Sequence, residues 1–134
     1  MCYNNQVKKK TISQIQKELW QLCRQVANKI YVSEDGLYRC YTCNKIIEGS
    51  NKQLGHFLPK STCGAYLKYS LDNLRWQCYN CNINGGGQGA IFYKKLVEEK
   101  GQEYVDQIFQ DRQKTIKAYD YFLMLCEEYK SMLE

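Results

Sequence analysis

Two Cys-x-x-Cys pairs constrain this chain more than anything else in it: Cys40-Tyr41-Thr42-Cys43 and Cys78-Tyr79-Asn80-Cys81, with 34 residues between them. A two-residue gap lets both sulfurs of a pair reach one metal at ~2.3 Å while backbone N–H groups support the thiolates. The two knuckles together predict a tetrahedral zinc site made of four cysteines. Four thiolates leave no open coordination position, so this zinc is expected to be structural. A redox dithiol or a coincidence of buried cysteines accounts poorly for two matched pairs. Cys23 and Cys126 fall on apolar helical faces and read as core residues; Cys2 and Cys63 receive no role.

Eight cysteines in 134 residues would suggest disulfides in a secreted protein. The opening segment instead sets its lysines before a polar amphipathic stretch, which is no secretory signal. No apolar run approaches the ~20 residues of a bilayer span. The expectation is an intracellular protein without a membrane partner and with thiols used as ligands or core. Residues 1 to 100 carry 15 basic and 7 acidic side chains, and residues 101 to 134 carry 4 and 7, so a +8 body precedes a −3 tail. Zinc on four thiolates would bring the formal +5 to about +3. That is a moderate polyanion-binding signal, with simple solubility as its bland counterpart.

The periodicities predict an α+β domain spanning 1–134. Ile12, Ile15, Leu19, Leu22, Cys23, Val26 and Ile30 give an amphipathic helix over 11–31, with Ser13 and Gln16 as its expected capping box. Residues 37–100 form the expected core. Short strands are predicted at Leu37–Tyr41 and Lys45–Ile47 around the first knuckle, then a β-loop-β unit from Leu54 to Trp76. The glycine-rich run Asn84 to Gly89 precedes a helix from Ala90 to Lys100, ended by Gly101. Residues 102–134 predict two further helices, serving dimerisation or core closure.

His56 is the single histidine, and the zinc does not need it. It lies between the knuckles in Leu54-Gly55-His56-Phe57-Leu58-Pro59. Asn73 stands in Leu71-Asp72-Asn73-Leu74, and Asn82 directly follows Cys81. The order Cys-x-x-Cys, Gly-His-Phe-x-Pro, Leu-Asp-Asn-Leu-x-x-Gln-Cys-x-x-Cys-Asn, glycine-rich turn and Tyr93 resembles the HNH endonucleases. It is most similar to the phage NinG (Rap) recombination nucleases, from about Cys40 to Ile108, including Gly101 to Asp106.

This resemblance implies a zinc-stapled ββα-metal (HNH) core with flanking helices. It implies His56 as general base, Asn73 as a loop brace and Asn82 as a ligand to catalytic Mg²⁺ or Mn²⁺. A neutral imidazole near its ordinary pKa of ~6.5 takes a proton from water at physiological pH, and a hard cation stabilises the leaving 3′ oxygen. Many HNH enzymes carry an aspartate ligand where this chain has Gly55, as NinG-like sequences also do; Gln53, Glu48 and Asp72 are the nearby substitutes. The implied substrates are branched DNA intermediates, four-way (Holliday) junctions or D-loops, cut by a homodimer. The alternatives are a non-catalytic zinc-ribbon DNA-binding protein and an HNH nuclease of ordinary duplex. Candidate DNA contacts are Lys52, Lys60, Lys68, Arg75, Lys94 and Lys95, with Tyr66, Tyr69 or Trp76 against sugars or bases. The bland reading of those residues is solvated lysines and packed aromatics.

Overall fold

The computed structural model describes residues 8–134, and Cys2 lies outside them. Helix α1 (Ile12–Ile30) buries Ile15, Leu19, Leu22, Cys23, Val26 and Ala27, whereas Ile12 and Ile30 at its ends stay exposed. Its capping box is not the expected Ser13–Gln16 pair. Thr11 is the N-cap, its side chain accepting from Gln14 N at 3.1 Å while Gln14 Oε1 accepts from Thr11 N at 2.9 Å. Thr11 keeps the extended backbone (φ −74°, ψ 159°) that an N-cap requires, whereas Ser13 already lies inside the helix.

Strands β1 (Tyr38–Arg39) and β2 (Ile46–Ile47) form a small antiparallel hairpin. The knuckle between them turns through Asn44 at φ 66°, a left-handed conformation asparagine tolerates. Strands β3 (Gln53–His56) and β4 (Leu74–Gln77) pair antiparallel, setting Gln53 against Gln77, Gly55 against Arg75 and His56 against Leu74. The loop joining them holds the short helix α2 (Ala65–Lys68) and a 3₁₀ turn at Leu71–Asn73. Helices α3 (Gly89–Lys100), α4 (Gln102–Asp111) and α5 (Ala118–Leu133) follow. Asn82 sits in a separate π-helical turn, Asn80–Asn84. Positive φ at Gly86, Gly87 and Gln88 keeps that turn from running into α3.

Because strand side chains alternate, the β3–β4 sheet has two different faces. Leu54, Leu74 and Trp76 join the core of α1 and α5, which includes Cys23, Phe122, Leu125, Cys126 and Tyr129. A second core gathers Phe57, Leu58, Cys63, Leu67, Phe92, Leu96, Val105 and Ile108 from the loop after β3 and from α2, α3 and α4. Each fully buried side chain of this size contributes about 1.5–3 kcal/mol relative to exposure. The last helix thus closes the core against α1. Among the described residues no helix is long and apolar enough to cross a membrane.

Candidate functional site

The β1–β2 turn supplies Cys40 and Cys43, Cys78 follows directly on β4, and Cys81 lies in the π-helical turn Asn80–Asn84. All four sulfurs lie within 4.8 Å of one another. Cys43 Sγ and Cys78 Sγ are 3.8 Å apart, matching the ~3.8 Å edge of a tetrahedron with ~2.3 Å Zn–S bonds. The backbone supports these sulfurs, Cys81 N donating to Cys78 Sγ at 3.3 Å. Burial opposes ionisation of Cys40. The Thr42 hydroxyl at 3.4 Å and nearby backbone amides outweigh it and bring its pKa to about 6. Burial pushes Cys43 up and Cys81 up to about 12. The donor set is soft, closed and suited to zinc.

His56 ends β3, where its ring lies parallel to that of Trp20 from α1, with centroids 5.6 Å apart and an interplanar angle of 2°. His56 Nε2 is 2.9 Å from the carbonyl oxygen of Lys68. A carbonyl only accepts, so Nε2 carries the proton in the neutral ring and Nδ1 is left as the basic nitrogen. Burial holds the imidazole below its ordinary pKa of 6.5, and the Lys60 and Lys68 ammonium groups add to this. The ring is therefore neutral at physiological pH. Beside it, Lys17, Trp20, Lys60, Lys68 and Tyr69 line a shallow groove with three cations.

Asn73, fully buried, holds the loop that follows His56: its Oδ1 accepts from Leu58 N at 2.8 Å and its Nδ2 donates to Leu58 O at 3.1 Å. Phe57 N donates to Asn73 O at 2.8 Å. Asn82 faces the other side of β3, its Nδ2 donating to Gln53 Oε1 at 3.0 Å. There Gly55 leaves a cradle. An added Cβ would stand 1.9 Å from Gln77 Oε1 and 3.1 Å from Asn82 Oδ1. These hard oxygens fit a Mg²⁺ or Mn²⁺ ion by donor type. Of the nearby substitutes, Gln53 is the one that reaches Asn82. Asp72 Oδ1 instead accepts from Tyr104 Oη at 2.8 Å, and Glu48 stands before the exposed 3₁₀ turn Gly49–Asn51.

The expected DNA contacts divide. Lys60 and Lys68 stand beside His56. Arg75 does not serve as a phosphate contact: it is 2% exposed, because both faces of β4 are covered. Its guanidinium donates to Tyr31 Oη at 2.7 Å and to the carbonyls of Leu71 and Leu74, and pairs with Glu99 at 3.6 Å. Tyr69 and Trp76 are likewise buried and offer no face to a base, and half-buried Tyr66 stacks on Tyr121. Lys52 donates to Asn28 Oδ1 and lies 3.8 Å from the centre of the Tyr38 ring. Exposed Lys94 and half-buried Lys95 sit on α3, and Lys95 lines a different groove with Arg39, Glu98 and Glu99. Sequence reasoning missed Trp20 and Lys17, which come from α1, and Gln77. The one signal available was a tryptophan beside the apolar stripe of α1.

No curated protein and no solved structure gives a significant match to this chain. The family model described as Bacteriophage Lambda NinG protein matches residues 3–134. A match of that extent covers both cysteine knuckles, His56 and every described helix, and the chain therefore belongs to the bacteriophage lambda NinG protein family.

Proposed function

We propose that this chain is a metal-dependent endonuclease of the HNH (ββα-metal) type that cuts branched DNA recombination intermediates. The observation that carries this reading is the neutral imidazole of His56, tied through Nε2 to the Lys68 carbonyl with Nδ1 left basic and the Lys60 and Lys68 ammonium groups near enough to act on it. A water molecule placed at Nδ1 gives up its proton as its oxygen attacks phosphorus. The P–O3′ bond then breaks and the electron pair leaves on the 3′ oxygen. Lys60 and Lys68 neutralise the phosphate, and Trp20 fixes the plane of the base. A divalent cation held by Asn82 and its neighbours supplies charge stabilisation at the leaving oxygen when bound. The cradle at Gly55 and the His56 ring lie on opposite faces of β3. The reading therefore requires a phosphate placed across the end of β3 at His56, where the two faces of the strand are nearest to a common ligand. Family membership supports the phage setting. Cutting both strands of a symmetric junction needs two sites, hence a homodimer, and a monomeric mass in light scattering with and without junction DNA would count against that.

The test is cleavage of a labelled four-way junction beside matched linear duplex, in Mg²⁺ and in Mn²⁺, by wild type and by zinc-replete His56→Ala. Junction cleavage lost in the variant is the expected result. Binding without cleavage in either metal would make this a zinc-dependent DNA-binding protein, and equal cleavage of linear duplex would remove the branched-substrate assignment.

A further inference from the structure

Gln77 is fully buried in β4, and its carbonyl oxygen Oε1 has no hydrogen-bond partner. Its amide end is fixed, since Nε2 donates to Thr42 Oγ1 at 3.0 Å and to Gly87 O at 2.9 Å. The Gly87 carbonyl only accepts, so the two ends of this amide are not interchangeable and Oε1 must face the other way, toward Gly55. There it lies 1.9 Å from where a Gly55 Cβ would be, and Asn82 Oδ1 lies 3.1 Å from the same point. Asn82 commits its Nδ2 to Gln53. Two amide oxygens therefore converge over a residue with no side chain, and one of them is buried and unpaired. A buried carbonyl without a partner is rare enough to need a reason, and service as an ion ligand is one of the few.

We propose that Gln77 Oε1 and Asn82 Oδ1 are paired ligands for a hard divalent cation, Gln77 standing where a carboxylate on residue 55 would otherwise reach. The assignment rests on the metal-dependent nuclease reading above. It explains why residue 55 is glycine, since any side chain there collides with Gln77. Amide carbonyls are established ligands for hard cations, but affinity falls as ligand charge falls. A site of two neutral oxygens holds Mg²⁺ or Mn²⁺ weakly until a DNA phosphate adds its charge, which couples cation binding to substrate binding.

The experiment is Mn²⁺ titration of the zinc-loaded protein without DNA, reading free Mn²⁺ by electron paramagnetic resonance. Gln77→Ala should weaken binding by roughly tenfold or more, and Gly55→Asp/Gln77→Ala, which supplies a carboxylate from the neighbouring strand, should recover it. A folded Gln77→Ala protein, judged by zinc content and cooperative unfolding, that binds Mn²⁺ as wild type does would overturn the proposal. A second measurement needs no variant. In ¹⁵N-labelled wild type, substoichiometric Mn²⁺ should broaden the side-chain NH₂ resonances of Gln77 and Asn82 before any others. Broadening centred elsewhere, for instance around Glu98 and Glu99, or no broadening at all, would equally overturn it. None of these readouts uses DNA. Mn²⁺ at Gln77 in a protein that cuts nothing would fail the nuclease reading alone, and cleavage with Mn²⁺ bound elsewhere would fail Gln77 alone.

Discussion

Because the chain has one histidine, the protonation of His56 can be followed as a single imidazole resonance. Burial, aided by Lys60 and Lys68, places its midpoint below 6.5 in the folded protein. The sign follows from the direction: the unfolded chain takes up the proton near pH ~6.5 and the folded chain only lower, so stability falls as pH drops through that window. Cleavage should rise with pH and level off near or below pH ~6.5, where the base becomes neutral. Trp20→Ala opens the ring to water, so the midpoint and the cleavage limb should both move toward 6.5, whereas Trp20→Phe should hold them lower. An unmoved midpoint in Trp20→Ala would remove Trp20 from any positioning role. Arg75 makes the opposite kind of prediction. Truncating one partner of a buried, hydrogen-bonded pair costs about 3–5 kcal/mol; because Glu99 is half exposed, Arg75→Ala should fall at the lower end of that range. It should leave the salt slope of DNA binding unchanged, while Lys60→Ala and Lys68→Ala each reduce that slope by about 1.

At the scale of elements, the loop after β3 depends on Asn73. Asn73→Ala leaves Leu58 N and O buried without their partner, at about 1–3 kcal/mol for each group, and chemical denaturation should show a loss of that order. The cap of α1 gives a sharper comparison: Thr11→Ala should cost about 1 kcal/mol and Ser13→Ala less than about 0.5 kcal/mol. The reverse order of costs would mean that the box sits at Ser13, and equal costs would mean that neither residue dominates the cap. The sequence made α1 legible through its apolar stripe, but two boxes of the same type stood two residues apart, and backbone conformation chose between them. The first knuckle was equally legible, since its cysteines, turn residues and flanking strands agree. Arg75 was not. In Leu74-Arg75-Trp76 an arginine between apolar residues reads as the solvent side of an alternating strand, and the cover over its second face comes from Tyr31, Glu99 and Tyr104, distant in sequence. Gln77 was hidden for a similar reason: its unpaired oxygen follows from where Thr42 and Gly87 fall.

Across the whole molecule, the sulfur cluster is what joins the β1–β2 hairpin to the β3–β4 sheet. A two-residue hairpin has little stability of its own, and besides the four sulfurs its turn is hydrogen-bonded to β4 by Tyr41 N to Trp76 O and by Gln77 Nε2 to Thr42 Oγ1. Cys40, Ile47, Cys78 and Cys81 also belong to the same core as α1 and α5. Opening the metal centre therefore exposes the packing of both terminal helices, and unfolding should be cooperative rather than local. Cys23 and Cys126, buried in that core, report on it. On adding a chelator, their thiols should react with a disulfide reagent in the same kinetic phase as Cys40, Cys43, Cys78 and Cys81. A separate slow phase for Cys23 and Cys126 would show that α1 and α5 stand without the metal. The proton count gives an independent reading of the centre. Near pH 7 Cys43 and Cys81 are protonated, whereas Cys40 at about 6 is already largely thiolate. Zinc must displace the protons it finds, so binding should release at least two per chain and tighten as pH rises. Calorimetry in buffers of different ionisation enthalpy counts those protons, and a release below two would show that Cys43 or Cys81 enters the site already ionised.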